Sequence, residues 1–242
     1  VSGSRERAPR RRREASAAPR WVAAAVYTLA SVVLAAVAAW PIYAAASFVI
    51  LVVAASVAAA VVVASVAWRR GSGWMLAAGL VAAFTLLAVP VAVPSRLTSP
   101  LDVLRGLGES YAGIVVAWKD LVTVDLPVGA YRNLLIPALV VFLVGTALAL
   151  ALAGRSDRWA TAAVVAGLGM TGFGLFFGRT ATSAPLQIGP LVLAAPVETA
   201  VGVGALLSAV LWLAWRAHDE RARALRRASD VSAMPTSPGR SR

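Results

Sequence analysis

Cysteine is absent from all 242 residues, and histidine occurs once. No disulfide framework, thiolate metal site or cysteine nucleophile is therefore possible. The lone histidine, His218, lies in the stretch HDERARALRR, where charged neighbours imply a solvated side chain rather than a general base. Acidic residues number only 11 in the Asp and Glu count. Four of these, Asp102, Glu109, Asp120 and Asp125, share one stretch without metal-ligand spacing. The expectation is a chain with no catalytic constellation, no cofactor and no metal. Charge is scarce as well: 14% of residues are charged and 60% hydrophobic, against about a quarter and a half in soluble domains. Mean hydropathy is +0.77, and this composition suits lipid.

The apolar residues fall in long uncharged blocks. Trp21 to Trp68 is 48 residues without one charge. As a single helix it would be about 72 Å long, more than twice the thickness of a bilayer core. Two helices are required, and Trp40-Pro41 is the expected break, because proline removes a backbone donor and restricts its predecessor. Arg69-Arg70 and Gly71-Ser72-Gly73 read as a tight turn. Six spans follow from the whole pattern, at about 21–40, 42–68, 74–94, 133–153, 159–178 and 196–215. Asn133 is a plausible N-cap for the fourth, and Gly154 stops it. Pro196 and Glu198 suit the start of the sixth. The expected fold class is all-α, a polytopic bundle of six transmembrane helices with one amphipathic helix in the 95–132 loop.

The formal charge is +12. Its location matters more than its sum, because most of it sits in two tails. Residues 1–20 carry seven arginines and no apolar periodicity, which predicts a flexible basic tail; residues 216–242 form a second tail with seven more. Arg69, Arg70, Arg155 and Arg158 lie on the same side as the tails in a six-span topology. Only Arg96, Arg105, Lys119, Arg132 and Arg179 lie opposite. The positive-inside rule then puts both termini in the cytoplasm and the 95–132 loop outside. Arginine tails beside membrane helices are expected to contact anionic lipid rather than nucleic acid. Six of the eight tryptophans fall at the tail side, with Trp40 and Trp118 opposite, as an aromatic belt would. A cleaved signal peptide is the competing reading of residues 1–40, and the spans that follow argue against it.

Gly167, Gly169 and Gly172 spell G-x-G-x-x-G, but inside an uncharged membrane segment with no βαβ unit around it. A packing role is expected instead. Gly167, Thr171, Gly174 and Gly178 recur at helical spacing, and Gly174 to Gly178 is a G-x-x-x-G that allows a neighbouring helix to approach closely. In the loop, Ser99-Pro100 predicts an N-cap and first turn, with Asp102 near the dipole. The expected apolar face of the helix comprises Leu101, Leu104, Leu107, Tyr111, Ile114, Trp118 and Leu121. It would lie on the outer membrane surface or over the bundle, where it would seal the bundle or dock a partner. Gly106, Gly108 and Gly113 count against a continuous helix.

The segments LLAVPVAVPSRL, WKDLVTVDLPVGAYRNLLIPALVVFLVGTALALALA and LWLAWRAHDERARALRR resemble the N-terminal membrane region of actinobacterial TgpA-type transglutaminase-like proteins over roughly residues 20–228. Trp118 to Pro137 carries the most specific part. The resemblance implies a multi-helix region in a bacterial plasma membrane that serves an extracytoplasmic transglutaminase-like domain. That domain's Cys-His-Asp triad has no counterpart here, so no catalytic residue transfers. Two expectations stand. Either the chain is the N-terminal part of a longer protein, which is preferred because VSAMPTSPGRSR reads as a linker, or it is a standalone relative that partners a separate enzyme. Its expected role is a non-catalytic anchor and scaffold. A transporter or permease subunit is the alternative, although, apart from Glu198 in the first turn of the sixth, no Asp, Glu, Lys, Arg or His falls within the expected spans.

Overall fold

The computed structural model describes residues 7–129, 133–178, 183–188 and 191–232. Among the described residues the fold is all-α apart from one two-stranded ribbon. Its helices are α1 (Arg7–Tyr43), α2 (Ala46–Trp68), α3 (Gly73–Leu87), α4 (Pro100–Thr123), α5 (Leu135–Ala153), α6 (Ala163–Phe177) and α7 (Pro196–Ser232). The antiparallel ribbon pairs β1 (Leu186–Ile188) with β2 (Leu191–Leu193). Among the described residues, six helical segments are long and apolar enough to cross a membrane: Arg20–Tyr43 of α1, α2, Gly73–Ala92 through α3 and the turn after it, α5, Arg158–Phe177 ending in α6, and Pro196–Arg226 of α7.

Large aliphatic side chains cover outer surfaces that a water-soluble protein would keep polar, and small ones fill several of the helix contacts. On α1, Val22, Val26, Leu29 and Val33 form an exposed stripe, while Ala24, Ser31, Ala35, Ala38 and Ala39 are buried. On α7, Val201, Ala205, Ala209, Trp212 and Arg216 point inward, and Val203, Leu206, Leu207 and Val210 point out. Large aliphatic groups outside and small ones between helices are what a lipid solvent selects, because tails solvate leucine as well as a core does and association depends on close backbone approach.

The central helix is α5. It is uncharged, more than half buried, and touches α1, α2, α3, α4 and α6. Here α1 packs chiefly on α6, and α2 on α5. At one end Tyr43 stacks on Phe48, which meets Phe142 edge-on, and the Tyr43 hydroxyl donates to the Leu134 carbonyl at 3.3 Å. At the other end Tyr27 stacks on Trp212, and Trp212 Nε1 donates to the Ala160 carbonyl at 3.1 Å. The tails of α1 and α7 emerge together at this second end, termed here the tail end.

Several boundaries differ from the sequence expectation. The first break is not at Trp40-Pro41. Helix α1 continues to Tyr43 and closes on Ala44, which has φ +44° and donates its amide to the Trp40 carbonyl at 2.8 Å, a left-handed cap. Pro41 stays inside the last turns. The 1–20 tail does not wait until Trp21 to become helical: α1 starts at Arg7, in a run of Arg, Ala and Glu with high intrinsic helix propensity, and only residues 1–6 of that tail lie outside the described residues. The sixth span likewise does not stop at Trp215. Helix α7 runs on to Ser232 through Arg216–Glu220 (3.1 Å) and Asp219–Arg223 (2.7 Å), two i,i+4 ion pairs that suit a helix. Of the expected linker, residues 231–242, the first two belong to α7 and the rest lie outside the described residues. Asn133 is not a side-chain cap: α5 begins after Leu134 with no side-chain cap bond, and the Asn133 amide lies instead beside Gly113. In the third span, α3 gives way to a π-helical turn, Ala88–Ala92, around Pro90, which has no amide to continue the regular ladder.

Candidate functional site

The end of the bundle opposite the tails is closed by α4. Ser99 caps it, accepting from the Asp102 amide at 3.2 Å, while the Ser99 and Thr98 hydroxyls each donate to the Asp102 carboxylate at 2.8 Å. These hydroxyls, Ser99 first, hold the Asp102 carboxyl below the usual carboxylate range. From there α4 crosses three spans. Tyr111 meets Phe84 of α3 and shares a 2.7 Å hydrogen bond with Thr85. Gly113 faces Asn133 and Ile136 at the start of α5. Trp118 packs against Phe173 and Phe177 at the end of α6. Arg96, just before α4, pairs with Glu109 at 2.6 Å, and the segment after it returns to the bundle through the Val128 amide, which donates to the Ile42 carbonyl at 2.8 Å.

The face that α4 turns to the bundle coincides only in part with the expected one. Gly106, Ser110, Gly113, Ala117 and Leu121 are its buried residues. Leu107, Ile114 and Trp118 are half-buried on the flank, while Leu104 and Tyr111 are exposed, as is Leu101. Two of the glycines read as helix-weakening, Gly106 and Gly113, form part of the seam, while Gly108 is exposed; a methyl group on Gly106 would lie 2.8 Å from Arg96 Cβ. Gly106, Ser110, Gly113 and Ala117 recur at four, three and four residues as a small-residue stripe. Consequently α4 has three faces: a small one on the bundle, a large apolar one through Leu104, Tyr111, Val115 and Val122, and a charged one through Arg105, Glu109 and Lys119.

The small-residue face of α6 meets α1 of the same chain. A methyl group on Gly174 would lie 2.5 Å from both the Ala38 carbonyl carbon and the Ala39 nitrogen. Gly167 faces the Tyr27 and Ser31 hydroxyls, Thr171 is buried and donates back to the Gly167 carbonyl at 3.2 Å, and Gly178 is buried near Ala38 and Ile42. Gly169 and Gly172 face open space, so the G-x-G-x-x-G spelling has no common function.

Three features were not legible beforehand. First, α1 and α2 meet at Tyr43 and Phe48 and then splay, leaving an apolar crevice of about 570 Å³ lined by Val37, Trp40, Phe48, Val49 and Val53, with Ser183 and Glu198 at its rim. Second, Ser183 caps α7 from a distance. Its hydroxyl accepts from the Val197 amide at 3.3 Å and donates to Glu198 at 2.5 Å, while Glu198 accepts the Ser183 amide at 2.8 Å. This is the reciprocal logic of a capping box built from residues 15 apart, which no local pattern reveals. Third, Arg216 belongs to the bundle rather than the solvated tail. Its side chain is 2% exposed, and Nη2 donates to the Asp157 carbonyl at 2.8 Å. Arg132 and Arg179, counted on the opposite side from the tails, lie outside the described residues. Among the described residues, no group of three His, Cys, Asp or Glu side chains is placed to hold a metal ion. No family model, curated protein or solved structure matches the chain.

Proposed function

We propose that the chain is a non-catalytic membrane anchor and scaffold for a transglutaminase-like domain, held in cis or in trans, in a bacterial plasma membrane with both tails cytoplasmic. The observation that supports this best is α4. A 24-residue helix fixed by a small-residue seam, a capped start and aromatic contacts to α3 and α6 offers a rigid apolar and charged surface on the end away from the tails. Binding and catalytic elements perform best on such rigid supports. The arginine tails would add contacts to anionic lipid on the cytoplasmic side, at about 1 kcal/mol per residue near the surface. The test is co-purification with a tagged transglutaminase-like catalytic domain expressed in trans. Leu104→Glu with Val115→Glu, both on the exposed apolar face, should reduce recovery of the complex at least several-fold while leaving the bundle folded. Recovery equal to the parent chain would sink the platform role.

A second reading, a transporter or permease subunit for a lipid or small apolar molecule, is favoured by the α1–α2 crevice. Its volume and mostly apolar lining with two polar rim residues are those of a ligand pocket.

A further inference from the structure

At the tail end, a second cleft of about 290 Å³ opens between the start of α1, the α2–α3 turn and the end of α5. Its walls are apolar toward the membrane interior, through Trp21, Val63, Val66 and Leu76, and its mouth carries Arg70, Ser72 and Arg155. Arg155 is engaged with Asp157 through Nε and Nη2, so its charge is largely balanced and Nη1 alone is uncommitted. The guanidinium of Arg70 has no ion pair or hydrogen bond among the described residues.

The backbone at Arg70 makes this informative. Helix α2 ends in a Schellman motif: the Gly71 amide donates to the Val66 carbonyl at 2.8 Å and the Arg70 amide to the Ala67 carbonyl at 3.2 Å. The residue this motif holds in the left-handed region is Arg70, at φ +52°. Glycine is the usual occupant of that position, and here the glycine comes one residue later. A β-carbon is therefore held where the turn would be relaxed without one, and the side chain it carries reaches the mouth of a cleft. Strained positions of this kind gather at functional sites. The N-terminal end of the α3 dipole, whose N-cap Ser72 makes no side-chain cap bond, adds to the positive field.

We infer that this cleft binds one anionic phospholipid, its phosphate on Arg70 with Ser72 and the free Arg155 nitrogen beside it, and its glycerol and upper chain on Trp21, Val63 and Leu76. The inference rests on the membrane-spanning fold and is independent of the scaffold reading.

Native mass spectrometry of the full chain from detergent, titrated with phosphatidylglycerol or phosphatidylcholine, tests it. One phosphatidylglycerol should be held more tightly than phosphatidylcholine. Arg70→Gln and Arg70→Gly should each weaken that step about fivefold, the loss of one arginine contact at a membrane surface. Arg69→Gln, next door but outside the cleft, should change it less than twofold. Arg70→Gly carries a second signature, because glycine relaxes the left-handed turn: the lipid-free melting temperature should rise while lipid binding falls. Equal losses at Arg69 and Arg70, or a folded Arg70→Gln variant that binds phosphatidylglycerol like the parent, would overturn the assignment. Inorganic phosphate competing as strongly as the lipid would overturn the lipid as occupant.

Discussion

Ala44 shows how much a single residue sets in this fold. It is exposed, at φ +44°, and its amide closes α1 on the Trp40 carbonyl, so the turn into α2 depends on a conformation that disfavours any β-carbon. The left-handed region costs an L-residue about 1–2 kcal/mol, partly offset by the extra chain entropy that glycine would bring. Ala44→Gly should therefore stabilise the bundle by about 0.5–1 kcal/mol, seen as a detergent melting temperature raised by a few degrees. A fall would mean that the cap is not left-handed. Sequence reasoning missed the position because proline and tryptophan are the conspicuous breakers nearby. Alanine in this role leaves no compositional trace.

At the scale of elements, packing reads most clearly where glycine meets backbone. Gly174 lies against Ala38 and Ala39, whose main-chain atoms have no rotamer by which to yield. Gly174→Leu should separate α1 from α6 and cost about 1–3 kcal/mol or more, as overpacking does. Gly172→Leu, which faces open space, should leave the melting temperature within a degree or two; equal effects at the two positions would refute the seam. The six spans and the existence of α4 were legible in the sequence because they rest on run length, uncharged blocks and a Ser-Pro helix start. The inward face of α4 was legible only in part. Hydrophobic size ranks Leu104 above Gly106, whereas helix contact in lipid depends on how close two backbones can come. Helix ends were the other weak point. At α7, strong helix formers and ion pairs carry the helix past the last apolar residue, so hydropathy alone cut it 17 residues short of Ser232.

For the whole molecule, the lack of native cysteine is an experimental asset. Ser95→Cys, ahead of α4, and Ser229→Cys, near the end of α7, are both exposed and would label without background. A membrane-impermeant maleimide should reach Ser95→Cys in intact cells and Ser229→Cys only after permeabilisation. The opposite pattern would reverse the orientation, and labelling of both from one side would contradict the three crossings that separate them.

The pairing of α1 with α6 also sets a clock. Tyr27 touches Ala163, 136 residues later in the chain, and Ala38 waits for Gly174. At ordinary synthesis rates that separation is on the order of ten seconds. Until α6 arrives the first helix, already in the bilayer, presents the Ala38 side of its small-residue face without the helix it packs on most. The chain therefore has a period during its birth in which insertion machinery, a chaperone or a foreign helix meets a surface that the finished protein never shows.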